Sequence, residues 1–189
     1  MPNDFSEILY LLKAICSVGG GMLVSLIVGS YQCFGNMAPY SVSYIRLHGN
    51  PKDLTYMDYQ TTYALALIVE TPAMILAGYL DRKMGVRLVV FFGVAIYILG
   101  YLLTAFVITV HFVFVVITCG IFGGFAIGVT FTIVGGNAAL WFPNNKGTAS
   151  SLATIGLAVS PIIFSPIQTA IINPDNLPVT TMDSDSQEL

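Results

Sequence analysis

Glu70 is the one formal charge inside a stretch otherwise apolar enough to sit in lipid. A carboxylate at mid-membrane costs about 2.5–3.5 kcal/mol, so it must face a cavity or a partner rather than hydrocarbon. Two roles fit it: a carboxylate that couples solute movement to a proton, or a neutral, hydrogen-bonded Glu within helix packing. Tyr31, Gln32 and Asn36 crowd a second chemical segment, Tyr31-Gln-Cys-Phe-Gly-Asn36. Phenol and amide groups at such depth face protein or water. They can line a solute path and fix orientation by hydrogen bonds. An interfacial aromatic belt explains Tyr40 and Tyr44, and it is the other reading of Tyr31 and Gln32. No HExxH, GxSxG or Walker loop occurs, so no enzyme is expected. His48 and His111 are expected in separate loops. The three cysteines, Cys16, Cys33 and Cys119, form no CxxC. No metal and no cofactor are therefore expected.

The rest of the chain must hold these groups in lipid. Of 189 residues, 56% are hydrophobic and 9% charged, where a soluble domain carries about 25% charge. Mean hydropathy is +0.80. This excludes a disordered chain and a disulfide scaffold. Seven Lys+Arg against ten Asp+Glu give a net charge of −3, so no nucleic-acid partner is expected. The expected partner is the lipid bilayer. The start, Met-Pro-Asn-Asp-Phe-Ser-Glu, lacks the basic opening of a secretory signal, so the first apolar segment reads as a retained anchor.

Charge spacing predicts the spans. Residues 14–45, 88–145 and 147–174 contain no Asp, Glu, Lys or Arg. A helix needs about 20 residues to cross the hydrocarbon core, so the long middle tract must fold as a hairpin near 109–112. The fold class is an all-α membrane protein with five transmembrane helices at about 14–38, 59–80, 88–108, 112–138 and 148–172. Lys13, Arg82, Lys83, Arg87 and Lys146 would share one side and Arg46 and Lys52 the other. That bias predicts a cytoplasmic N-terminus over residues 1–13 and a multi-pass integral membrane location. Residues 173–189, with Asp183, Asp185 and Glu188, then form an extracytoplasmic, disordered acidic tail.

Small residues recur every fourth position. Ser17, Gly21, Ser25, Gly29 and Cys33 do so in helix 1, and Gly120, Gly124, Gly128, Thr132 and Gly136 in helix 4. Such stripes let backbones approach, and close packing is what joins helices in lipid. Pro72, Pro161 and Pro166 should bend their helices, since proline lacks the N–H and crowds the preceding turn.

The loop Gly78-Tyr-Leu80-Asp81-Arg82-Lys83-Met-Gly85-Val-Arg87 resembles the signature loop of the major facilitator superfamily, G-x-L-a-D-R-x-G-R-R. Gly78, Leu80, Gly85 and Arg87 fall in place without a gap, and Asp81 comes one position early. An acid followed by cations at a membrane face also offers an ionic latch. Trp141-Phe-Pro143 to Lys146-Gly147 looks like the superfamily's helix 4–5 junction, and Gly156 to Pro166 resembles its antiporter motif with Ser160 in place of Gly. Gly20-Gly21 to Ser30-Tyr31 and Gln168-Thr169 to Asn176 look most like the oxalate–formate antiporter and monocarboxylate transporter branch. The resemblance implies twelve helices in two six-helix halves with solute between them. This chain would then be a partial first half, truncated after helix 5. It further implies transport of a small organic anion by alternating access, by proton coupling or exchange. In that branch the cations that hold the carboxylate lie in the second half. Here every Lys and Arg is expected in or beside a loop. The alternative is a membrane interaction protein without transport, docked by its glycine stripes onto itself or a full-length transporter.

Overall fold

The computed structural model describes residues 4–174; Asp183, Asp185 and Glu188 of the expected tail lie outside the described residues. Every regular element among those residues is helical. Helix α1 (Asp4–Val28), a 3-10 segment (Gly29–Cys33) and α2 (Phe34–His48) make one rod. Then come α3 (Tyr56–Met84) and α4 (Val86–Val107). The short α5 (Phe112–Val115), a π-helical stretch (Val116–Phe122) and α6 (Gly123–Trp141) make the fourth rod. The fifth is α7 (Lys146–Ile172). Five rods are thus long and apolar enough to cross a membrane. Helices are the natural solution in lipid, because each satisfies its own backbone polar groups.

The first rod runs to His48 rather than 38. Its 42 residues from Glu7 span about 63 Å, twice the hydrocarbon thickness. His48 accordingly ends α2 and stacks on Tyr44, 4.7 Å between centroids, instead of lying in a loop. α3 begins at Tyr56 because Thr55 and Asp58 close a reciprocal cap. Asp58 N–H donates to Thr55 Oγ1 at 3.2 Å, and Thr55 N–H donates to Asp58 Oδ2 at 3.0 Å. Each bond satisfies a donor that the helix itself leaves free. His111 caps the fourth rod, accepting from Val113 N–H at 3.2 Å, while Phe112 N–H donates to the Asn50 carbonyl at 2.8 Å. That bond ties two connections together at one end of the bundle.

The fourth rod is the centre. In its most apolar window 61% of residues are buried, against 11–22% in the other four rods. The helix 4 stripe explains this. A Cβ on Gly124 would meet the Ala66 carbonyl, one on Gly128 the Glu70 carbonyl, and one on Gly120 would lie 3.2 Å from the Thr62 carbonyl. Residues 62, 66 and 70 repeat every four as well, so the glycine seam of the fourth rod lies against the backbone of α3. Gly136, at the stripe's end, faces open space. The helix 1 stripe docks on α7 and α6. A Cβ on Gly21 would sit 2.8 Å from Val134 Cγ1, and one on Gly29 2.8 Å from Leu157 Cα. Gly156 of α7 returns the contact against the backbone of Met22 and Leu26. These glycines therefore join rods of one chain, and the surface expected to dock a second protein is already occupied.

Pro72, Pro161 and Pro166 stand inside helices that continue past them, as does Pro39 in α2. The hydrogen-bond pattern changes elsewhere, in the 3-10 segment and the π stretch, and neither contains a proline.

Gly85 joins α3 to α4 at φ 79°, ψ 156°. Only glycine adopts that region freely. A Cβ there would meet nothing within 4 Å, so the cost of adding one is backbone strain alone. Gly85→Ala should destabilise by about 1–3 kcal/mol. Gly78→Ala, inside α3 and equally uncrowded, should gain up to about 1 kcal/mol from helix propensity. Detergent unfolding followed by circular dichroism measures both, and equal effects would refute the strain argument.

Candidate functional site

The 3-10 segment sets the geometry of the first chemical cluster. In a 3-10 helix, side chains three apart eclipse, and Tyr31 and Phe34 accordingly stack at 5.7 Å. Tyr59 and Tyr63, one turn apart on α3, meet them from the side. Tyr63 stacks on Tyr31 at 5.7 Å and Tyr59 on Phe34 at 4.7 Å. Each such pair contributes about 0.5–1.5 kcal/mol beyond area burial. Tyr31 is only 2% exposed, and its ring edge lies where a Cβ on Gly123 would come within 2.9 Å. Its hydroxyl is buried with no hydrogen-bond partner among the described residues. Beneath this layer, Ser30 Oγ and the Tyr97 hydroxyl bond at 2.7 Å, linking the first rod to α4.

Gln32 is exposed beside the aromatic layer, and its Oε1 accepts from the Tyr63 hydroxyl at 3.2 Å. Asn36 turns the other way. Its Nδ2 donates to Thr169 Oγ1 at 3.2 Å, tying α2 to α7. Glu70 stands apart from all three. It sits half-buried on α3, two turns from Tyr63 and on the same helix face by the 3.6-residue period. Its carboxylate makes no hydrogen bond or ion pair among the described residues. The structure thus joins Tyr31 and Gln32 through Tyr63, places Asn36 in a helix contact, and leaves Glu70 alone. The sequence reading named Phe34 only as part of its segment and missed Tyr59, Tyr63 and Tyr97. The four-residue spacing of the two α3 tyrosines was the available signal.

The π stretch adds a smaller polar contact. Thr118 Oγ1 lies 2.6 Å from Thr104 Oγ1, which also reaches Cys119 Sγ at 3.2 Å. No group of His, Cys, Asp and Glu among the described residues is arranged to hold a metal ion. The cluster's chemistry is that of an aromatic floor with an exposed amide–phenol pair. It can orient a polar solute, and it holds no charge of its own.

The signature loop caps the opposite end. Leu80 packs against a core of Ala73, Ala77 and Val89. Gly85 N–H donates to the Asp81 carbonyl at 2.9 Å. Arg82 and Lys83 occupy the last turn of α3, where cations complement the helix dipole. Lys83 Nζ lies 4.7 Å from the Tyr79 ring centroid. Among the described residues Asp81 makes no ion pair, so the ionic latch is not formed. Arg87 stands in the first turn of α4 beside the Gly85 joint, as expected, whereas Lys13 lies inside α1 rather than beside a loop; both line a cavity of about 720 Å³.

Comparison with known proteins places these features. The profile of the Major Facilitator Superfamily matches residues 9–175. Apicoplast pyruvate carrier 1 of Toxoplasma gondii is 24% identical over 85% of this chain and 35% of its own length. Apicoplast pyruvate carrier 2 of the same organism is 26% identical over 82% of this chain and 24% of its own length. The oxalate:formate antiporter of Oxalobacter formigenes is 25% identical over 60% of this chain and 26% of its own length. The chain therefore spans about a quarter to a third of the length of these curated relatives.

Proposed function

The chain belongs to the major facilitator superfamily, and from that premise we propose that it supplies one wall of a carrier for small organic anions such as monocarboxylates. The wall works by alternating access against a second wall that brings the neutralising cations. The observation that carries this reading is the uncharged Gln32–Tyr63 pair on its aromatic floor. Hydrogen bonds from such a pair orient a carboxylate, while the floor excludes water from one side of it. The names of the relatives, a pyruvate carrier and an oxalate:formate antiporter, support the substrate class. Glu70, on the same face of α3 and free of partners, is the group we assign to proton coupling. The five-to-two distribution of Lys and Arg supports a cytoplasmic N-terminus. Gly120, Gly124 and Gly128 face α3 within the chain, which favours this reading over association with a full-length relative as the sole function.

Transport in proteoliposomes tests the proposal. The 189-residue chain alone should take up labelled pyruvate, oxalate and formate no faster than empty vesicles. Joined in frame to the part of the oxalate:formate antiporter that follows its matched segment, it should show uptake. Gln32→Leu should cut that uptake at least about tenfold, the loss expected when a polar solute leaves its site unpaired. Uptake by the chain alone would contradict the one-wall reading. An active fusion indifferent to Gln32→Leu would contradict the site.

A further inference from the structure

The cavity at the signature-loop end has no part in the transport reading, and its chemistry is that of an amphiphile site. It lies between α1, α4 and α6 and holds about 720 Å³. α1 and α4 touch each other little, which leaves a groove between them. Its walls are apolar, formed by Gly20, Val24, Val90 and Val134. Its rim carries Lys13 from α1 and Arg87 from the first turn of α4, both exposed. Among the described residues no carboxylate lines it, and neither cation makes an ion pair. The α4 N-terminus beside Arg87 adds its positive dipole end. Below the rim, Asn137 Nδ2 donates to Ser17 Oγ at 2.6 Å, a polar step between head and wall. Trp141, which also lines the cavity, is tied to α1 by the Tyr10 hydroxyl, which donates to its carbonyl at 2.8 Å.

We propose that this groove binds one anionic phospholipid, with its phosphate between Lys13 and Arg87 and an acyl chain along the α1–α4 wall. Two unpaired cations over an apolar slot match a molecule that joins an oxyanion to a hydrocarbon tail. A free oxyanion would use the rim and leave the slot wet.

The test uses the full chain in nanodiscs of phosphatidylcholine with a minor fraction of phosphatidylglycerol. Retained lipid is read by native mass spectrometry, and occupancy by alkylation of Cys16. That thiol is exposed and lines the cavity, while Cys33 and Cys119 are buried. Wild type should retain phosphatidylglycerol over phosphatidylcholine by about thirtyfold, the preference two surface cations supply. Cys16 should be alkylated more slowly with phosphatidylglycerol present. Lys13→Gln with Arg87→Gln should return retention to the bulk ratio. Gly20→Phe should displace the acyl chain and abolish retention without disturbing the bundle, since a Cβ at Gly20 meets nothing within 4 Å. Inorganic phosphate in pure phosphatidylcholine discs should leave the alkylation rate unchanged. Retention at the bulk ratio in wild type, or retention unmoved by both variants, overturns the proposal. Protection of Cys16 by phosphate equal to that by phosphatidylglycerol overturns it too, in favour of a free-oxyanion site.

Discussion

Gly124→Leu should prise α3 from the fourth rod and cost about 3 kcal/mol or more, the upper end of overpacking effects. The reason is what the new side chain would strike. A Cβ on Gly124 meets the carbonyl, carbonyl carbon and Cα of Ala66, and backbone cannot rotate aside as a side chain can. In lipid the loss is direct, because close packing rather than the hydrophobic effect holds helices together. Gly136→Leu is the matched control. It lies on the same stripe, is exposed and meets nothing, so it should be neutral or gain up to about 1 kcal/mol from helix propensity. Unfolding in a denaturing detergent, followed by Trp141 fluorescence and circular dichroism, separates the two. Similar losses for both variants would show that the seam does not carry the α3 contact.

Tyr31 offers the second large effect, and it divides structure from function. Tyr31→Ala should cost about 2–4 kcal/mol. The usual penalty for deleting a buried aromatic ring is about 3–5 kcal/mol, and it falls when the unfolded reference is itself lipid-embedded. What remains is the void left among Phe34, Tyr63 and Gly123. Tyr31→Phe keeps the ring and removes a buried hydroxyl that has no partner among the described residues. Stability should therefore hold or rise by up to about 1 kcal/mol. If the hydroxyl serves a solute, the same substitution lowers uptake in the fused carrier with folding intact. A stable Tyr31→Phe carrier with full uptake would assign Tyr31 to packing alone.

The spans were legible because lipid excludes charge: the tracts free of Asp, Glu, Lys and Arg enclose most of four rods, and α3, which lies outside them, carries a single charge, Glu70, within its expected span. Hydropathy marks where lipid ends, not where a helix ends, so the run of the first rod to His48 was hidden. A stripe of glycines every fourth residue names a face but not the rod it meets. Gly124 could be read as a contact, yet nothing in its neighbours pointed to Ala66. Gly93 and Gly100, set close against Thr130 and the Thr118 carbonyl, are seven apart and formed no visible stripe. The 3-10 and π stretches contain no proline and leave no local signature. The prolines, which do have one, sit in uninterrupted helix. Of the aromatic cluster, Tyr31 and Gln32 could be named from residue type and depth. Tyr63, which connects them, belongs to another rod and could not be paired from sequence.

The central place of the fourth rod bears on the order in which the molecule assembles. α1, α3 and α4 touch one another far less than they touch α6 and α7. A chain made from its N-terminus inserts these three rods before the element that unites them exists. Until then they are only loosely tethered neighbours. The arrival of residues 112–141 then acts as a keystone, and the last rod locks the first into place.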